Sequence, residues 1–193
     1  MLTSWLSGKT LSMVRVEDLD ITFFHLPKNA GSSIEKWLET NLDADVYLED
    51  LRHASPKSLE PLFPSFGWRF CCVRNPWDRT VSWYNFFKGQ GKISLTFDAY
   101  MDACFDIKQN SAKYLKPINR QMQFVNEVDY VIRYENLIED FKVVQEKTNC
   151  FEPIGHHNSS KRTKYMDYYN KDSHINIIGE YFAEEIDFFD YKF

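Results

Sequence analysis

Residues 21–38 read ITFFHLPKNAGSSIEKWL. Ile21, Thr22, Phe23, Phe24 and His25 are β-branched or aromatic, a composition that suits a buried strand. From Ser32 the pattern changes. Ile34, Trp37 and Leu38 fall at i, i+3 and i+4, which predicts one apolar helix face. Between strand and helix stand a lysine, a glycine and two serines. A loop that enters a helix offers backbone N–H groups at the positive end of the helix dipole, where anions bind. The N–H groups of Asn29, Ala30, Gly31, Ser32 and Ser33, the two serine hydroxyls and the Lys28 ammonium therefore form a candidate anion cradle. Gly31 would allow close backbone approach or a positive φ. The order is not that of a Walker A loop: the first glycine is missing and the lysine precedes the glycine. Hydrolysis of ATP or GTP is not the leading reading.

Outward from this junction the chain repeats the strand-then-helix theme. WRFCCV at 68–73 reads as a second buried strand, and Asn75-Pro76 as a helix start, a capping side chain followed by proline at the first helical position. That helix is expected to run through Tyr84 to about Phe87 and to end at KGQGK. Thr96 to Ile107 predicts another helix. VDYVIR at 128–133 reads as a third strand, followed by a helix over Asn136 to Lys147. From Asp172, Ile175, Ile178 and Phe182 recur at helical spacing. Residues 50–66, with Pro56, Pro61 and Pro64, read as turns with at most one short helix. The alternation predicts an α/β fold, a P-loop-like three-layer architecture with a central parallel sheet flanked by helices. A length of 193 residues suits a single domain, 1–193.

Composition narrows the function. A net charge of −5 argues against a general nucleic-acid binder, which carries a basic excess. Any anion site must be a local positive spot on an acidic protein. No apolar run reaches the ~18 residues of a membrane span. The N-terminal residues lack a basic start followed by a long apolar stretch. Cys71, Cys72, Cys104 and Cys150 form no C-x-x-C pair, and reduced thiols in a cytoplasmic protein are the expectation. His156 and His157 lack metal-site spacing with these cysteines, so no metal is expected.

HLPKNAGSS, at residues 25–33, resembles the 5′-phosphosulfate loop of sulfotransferases that use 3′-phosphoadenosine 5′-phosphosulfate (PAPS). VRNPWDRTVSWY at 73–84 is similar to the 3′-phosphate motif of the same family. DYVIRYENL at 129–137 and the ending FFDYKF are similar to short members of its carbohydrate branch, which includes heparan sulfate 2-O-sulfotransferase and the chondroitin enzymes. Asn29 stands where many relatives have threonine, and Ser32-Ser33 replaces a common Thr-Ser; hydroxyls are kept at the helix start.

The resemblance implies PAPS as co-substrate, a hydroxyl acceptor on a carbohydrate, and release of 3′-phosphoadenosine 5′-phosphate (PAP). It assigns Lys28 to the departing phosphate, where a cation acts most strongly in the transition state. Arg74, at a strand end, and Ser82, about two helical turns after Asn75, are the 3′-phosphate candidates. Arg79 reads equally as a ligand contact or an ion pair. Ser159, Lys161 and Arg162, in the basic stretch GHHNSSKRTKY at 155–165, resemble the late loop over the nucleotide. For the base that deprotonates the acceptor, His53 is similar to the family's histidine, with Glu35, Asp50 and His25 as alternatives. Trp77 suits either adenine stacking or the core. A small nucleotide or metabolite kinase and a non-catalytic nucleotide-binding module are the rival readings.

Overall fold

The computed structural model describes residues 13–42, 44–47, 65–105, 119–155 and 162–193. The chain divides into two compact units, Met1–Val73 with Gln123–Asn158, and Arg74–Met122 with Ser159–Phe193.

The first unit holds a sheet of five strands among the described residues: β1 (Met13–Val16), β2 (Ile21–Phe24), β3 (Asp45–Tyr47), β4 (Trp68–Val73) and β5 (Tyr130–Arg133), in the order β3-β1-β2-β4-β5. β2 runs parallel to β4, with Phe23 opposite Phe70, and β4 parallel to β5, with Phe70 opposite Tyr130. These are the three strands the sequence predicts. β1 and β3 add an antiparallel edge, β1 pairing with both β2 and β3. The sequence reading has no strand there. MVRV is only four residues long and carries an arginine in its middle.

Period-two alternation sends Val14, Val16, Ile21, Phe23, Phe70, Cys72 and Ile132 into one core. Against it pack Ile34, Trp37 and Leu38 from α1 (Gly31–Asn41), the i, i+3, i+4 face expected from the sequence. Leu137, from α4 (Leu137–Asp140), and Val144, from α5 (Lys142–Thr148), complete it with Phe141 between them. The single helix expected over 136–147 is thus two short helices joined at Phe141. On the other face, Arg15 is nearly buried because Thr22 accepts from its Nη1 at 2.9 Å and Asp20 from its Nη2 at 2.5 Å. This pairing makes a charged strand residue tolerable.

The second unit is helical among its described residues: α2 (Pro76–Gly89), α3 (Phe97–Phe105), α6 (Asp172–Tyr181) and α7 (Ala183–Phe189). Asn75 caps α2 as predicted, its side chain accepting from the Trp77 N–H at 3.0 Å, with Pro76 at the first position. Trp77, Val81, Tyr84, Phe97, Tyr100, Ile178 and Phe182 form this unit's core. The Trp77 indole donates to the Ile175 carbonyl at 3.0 Å and the residue is 6% exposed, so Trp77 is a core residue. The architecture is α/β and P-loop-like, a mostly parallel sheet flanked by helices.

Candidate active site

In the first unit, β2 ends at Phe24 and α1 begins at Gly31, with six residues between them. The turn between them is tight. Lys28 and Ala30 both take left-handed backbone conformations, with φ of 69° and 60°. For residues with a Cβ such conformations are uncommon and concentrate at functional sites. The sequence reading allows either close approach or a positive φ at Gly31, and Gly31 is not among the glycines with positive φ. It is glycine because a Cβ there would overlap the ring of His25. Close approach, not φ, is the reason.

His25 is held in that position by Glu35, whose Oε1 lies 2.6 Å from Nδ1. Glu35 is one turn into α1, so the pair ties the strand end to the helix across the loop. Asn29 is fully buried and donates through Nδ2 to the Cys72 carbonyl of β4 at 2.8 Å, locking the loop to the neighbouring strand. Its Nδ2 thus serves the scaffold. Ser33 is 3% exposed and its N–H donates to the Ala30 carbonyl at 2.9 Å. Ser32 is exposed at the helix start. Gly31→Ala should therefore displace His25, break its contact with Glu35 and cost about 1–3 kcal/mol, the usual cost of overpacking. Thermal unfolding that leaves Tm unchanged would contradict this reading of the turn.

The second unit carries Arg74, Arg79 and Arg162. Arg74 is 6% exposed and its backbone is clamped by the Gln121 amide: the Arg74 N–H donates to Gln121 Oε1 at 3.0 Å, and Gln121 Nε2 donates to the Arg74 carbonyl at 2.9 Å. Gln121 in turn donates from Nε2 to Glu185 Oε2 at 2.8 Å and from its backbone N–H to Glu185 Oε1. Burial pushes the Glu185 carboxyl above its ordinary range, opposed by these bonds and by the charge of Arg79. Arg79 is 2% exposed and donates from Nη1 to the Asn119 carbonyl at 2.7 Å. Burial pushes its guanidinium down to about 10, with Glu185 opposing. Arg79 belongs to the structure of this unit.

Arg74 itself turns to Asp78. Its Nε donates to Asp78 Oδ2 at 2.8 Å and its Nη2 lies 2.7 Å from the same oxygen. The other oxygen, Oδ1, accepts from Nη2 of Arg162. Two cations thus meet on one anion, with side chains only 7%, 13% and 13% exposed for Arg74, Asp78 and Arg162. Ser82, 9% exposed, lies one helical turn after Asp78 on α2. The structure thus brings together Arg74 and Arg162, which the sequence marks separately. His53, Asp50, Ser159 and Lys161 lie outside the described residues. The sequence reading misses Asp78, because an acid four residues after an arginine reads as an ordinary helix-surface pair. It also misses Gln121 and Glu185, which nothing local connects to Arg74.

A family model described as a sulfotransferase domain matches residues 32–173. The chain belongs to the sulfotransferase-domain family. No curated protein and no solved structure matches it. Membership makes the protein a transferase of sulfuryl groups. The matched stretch of this sulfotransferase includes Arg74, Asp78, Ser82 and Arg162 and begins one residue into α1. Among the described residues, no helix is long and apolar enough to cross a membrane, and no group of three or more His, Cys, Asp or Glu could hold a metal ion.

Proposed function

We propose that the protein transfers a sulfuryl group from PAPS to a hydroxyl of a carbohydrate, and that residues 1–193 act as one sulfotransferase domain. The observation that carries the donor assignment is the meeting of Arg74 and Arg162 on Asp78. Two guanidiniums that meet on one carboxylate gather positive charge among largely buried side chains, a setting that suits a phosphate anion. In the motif that resembles the family's 3′-phosphate site, that anion is the 3′-phosphate, and Ser82 is a hydroxyl donor toward it. One family match running through both units supports the single-domain reading. The carbohydrate acceptor rests on the resemblance of 129–137 and of the C-terminal residues to the carbohydrate branch.

In the transfer, the acceptor oxygen forms a bond to sulfur as the bond from sulfur to the 5′-phosphate oxygen breaks. Negative charge grows on the departing phosphate. Lys28, the exposed Ser32 hydroxyl and the N–H groups of residues 29–32 are the groups assigned to meet it. The acceptor proton passes to a base, for which we assign His53. His25, whose Nδ1 lies 2.6 Å from Glu35, is the alternative base, since a carboxylate on Nδ1 orients an imidazole for proton transfer at Nε2. Label from sulfur-labelled PAPS should appear on a glycan in a panel of glycans, phenols, lipids and peptides, and should do so in the presence of EDTA. A strict Mg²⁺ requirement, with phosphate moved from ATP instead, would replace this reading with a kinase.

A further inference from the structure

Lys28 and Ala30 hold left-handed backbone conformations without being glycine, at φ of 69° and 60°. Such conformations persist only where the surroundings over-determine them. The loop is fastened before, between and after these two residues. Before them, Nδ1 of His25 lies 2.6 Å from Oε1 of Glu35. Between them, Asn29 donates through Nδ2 to the Cys72 carbonyl of β4. After them, Gly31, the first residue of α1, lies so close to the His25 ring that a Cβ would overlap Cδ2, Nε2 and Cε1. Glu35 follows Gly31 by four residues and so stands one turn along the same face of α1. The carboxylate therefore holds the ring, and the ring stands against the residue where the cradle enters the helix. The side chains of His25 and Glu35 are 14% and 15% exposed. A carboxylate so far from water is costly unless paired, and among the described residues its side-chain partner is His25.

We propose that Glu35 is a positioning residue for the donor's 5′-phosphate: through His25 it holds the loop from Lys28 to Gly31 in its strained conformation, ready to receive the leaving phosphate. This inference rests on the donor assignment above. The same pair offers the alternative base, and the two roles make different demands. A base acts on the acceptor's proton and leaves binding of the product nucleotide unchanged. A preorganised loop acts on the phosphate, so loosening it weakens 5′-phosphate binding as well as stabilisation of the transition state. The fastening of Asn29 to β4 and the packing of Gly31 against the ring favour the second role, because both act on the loop itself.

The test is calorimetric binding of PAP and of adenosine 3′-monophosphate, which lacks the 5′-phosphate, to the full chain and its variants. The preference for PAP reads the loop separately from the 3′-phosphate. Glu35→Ala should lower PAP affinity about tenfold to a hundredfold, the scale of a hydrogen bond to a charged group, and change 3′-monophosphate affinity less than about twofold. Glu35→Gln, whose amide oxygen still accepts from the imidazole N–H, should keep most of the preference. His25→Ala should lose the preference as Glu35→Ala does. The double variant should lose little more than His25→Ala, since Glu35 acts through the ring. A preference unchanged in Glu35→Ala would overturn the positioning role and leave the donor assignment standing. So would a His25→Ala protein that loses turnover but keeps the preference, with His25 then the base. Loss in Glu35→Gln as complete as in Glu35→Ala would also overturn the role. Equal affinities for PAP and 5′-AMP in the unmodified protein would overturn the donor assignment and the positioning role with it. Should Glu35→Ala fail to fold, Glu35→Met, which fills a similar volume without a carboxylate, decides in its place: an unchanged preference there would overturn the role.

Discussion

Lys28→Ala should fold and should lose two to three orders of magnitude in turnover, about what one missing transition-state donor costs. The reason lies in where the charge is needed. The acceptor hydroxyl and the sulfate group are little changed in charge until the sulfur–oxygen bond begins to break, and the leaving phosphate then gains negative charge. A cation beside that oxygen is worth more in the transition state than in the ground state, so its loss should appear in kcat more than in KM. Lys28 also holds an unfavourable backbone conformation, φ 69°. Lys28→Gly should relieve that strain and be no less stable than the unmodified protein, yet as inactive as Lys28→Ala. Steady-state rates and thermal unfolding of the two variants check both halves. A folded Lys28→Ala with near-normal turnover would remove Lys28 from the mechanism.

His53→Ala carries the second large effect. A hydroxyl that keeps its proton is a poor nucleophile, and a positioned base accelerates such a step by about 10²–10⁴-fold. The variant should lose activity within that range and bind PAP with nearly unchanged affinity, because His53 lies outside both nucleotide motifs. Imidazole must be neutral to accept a proton. The rate should therefore rise with pH through the region of an ordinary histidine, ~6.5, and fall below it. That acid limb should vanish in His53→Ala. Retention of both the rate and the limb would return the role to His25, Glu35 or Asp50.

Much of the fold is legible because its signals are local. The apolar runs at 21–25 and 68–73 and the spacing of Ile34, Trp37 and Leu38 follow from the geometry of strands and helices. Asn75-Pro76 starts α2 for reasons contained in two residues. β1 is not legible, because its arginine becomes acceptable only once Thr22 and Asp20 are folded beside it. The site divides the same way. Lys28, Arg74 and Ser82 are candidates read from motifs of a few residues. Asp78 looks like half of a surface pair until Arg162 arrives from 84 residues further on. Gln121 reaches Glu185 across 64 residues, and only the folded chain reveals that together they fix the backbone of Arg74. Gly31 is recognised as special, but the cause, the His25 ring, becomes apparent only when the loop is built.

The central claim is that the donor is a nucleotide carrying a 3′-phosphate, read by Arg74. Isothermal calorimetry of PAP and 5′-AMP, on the unmodified protein and on Arg74→Ala, tests it most directly. PAP should bind far more tightly than AMP to the unmodified protein, and most of that preference should disappear in Arg74→Ala while AMP binds as before. Equal affinities for PAP and AMP in the unmodified protein would contradict the account.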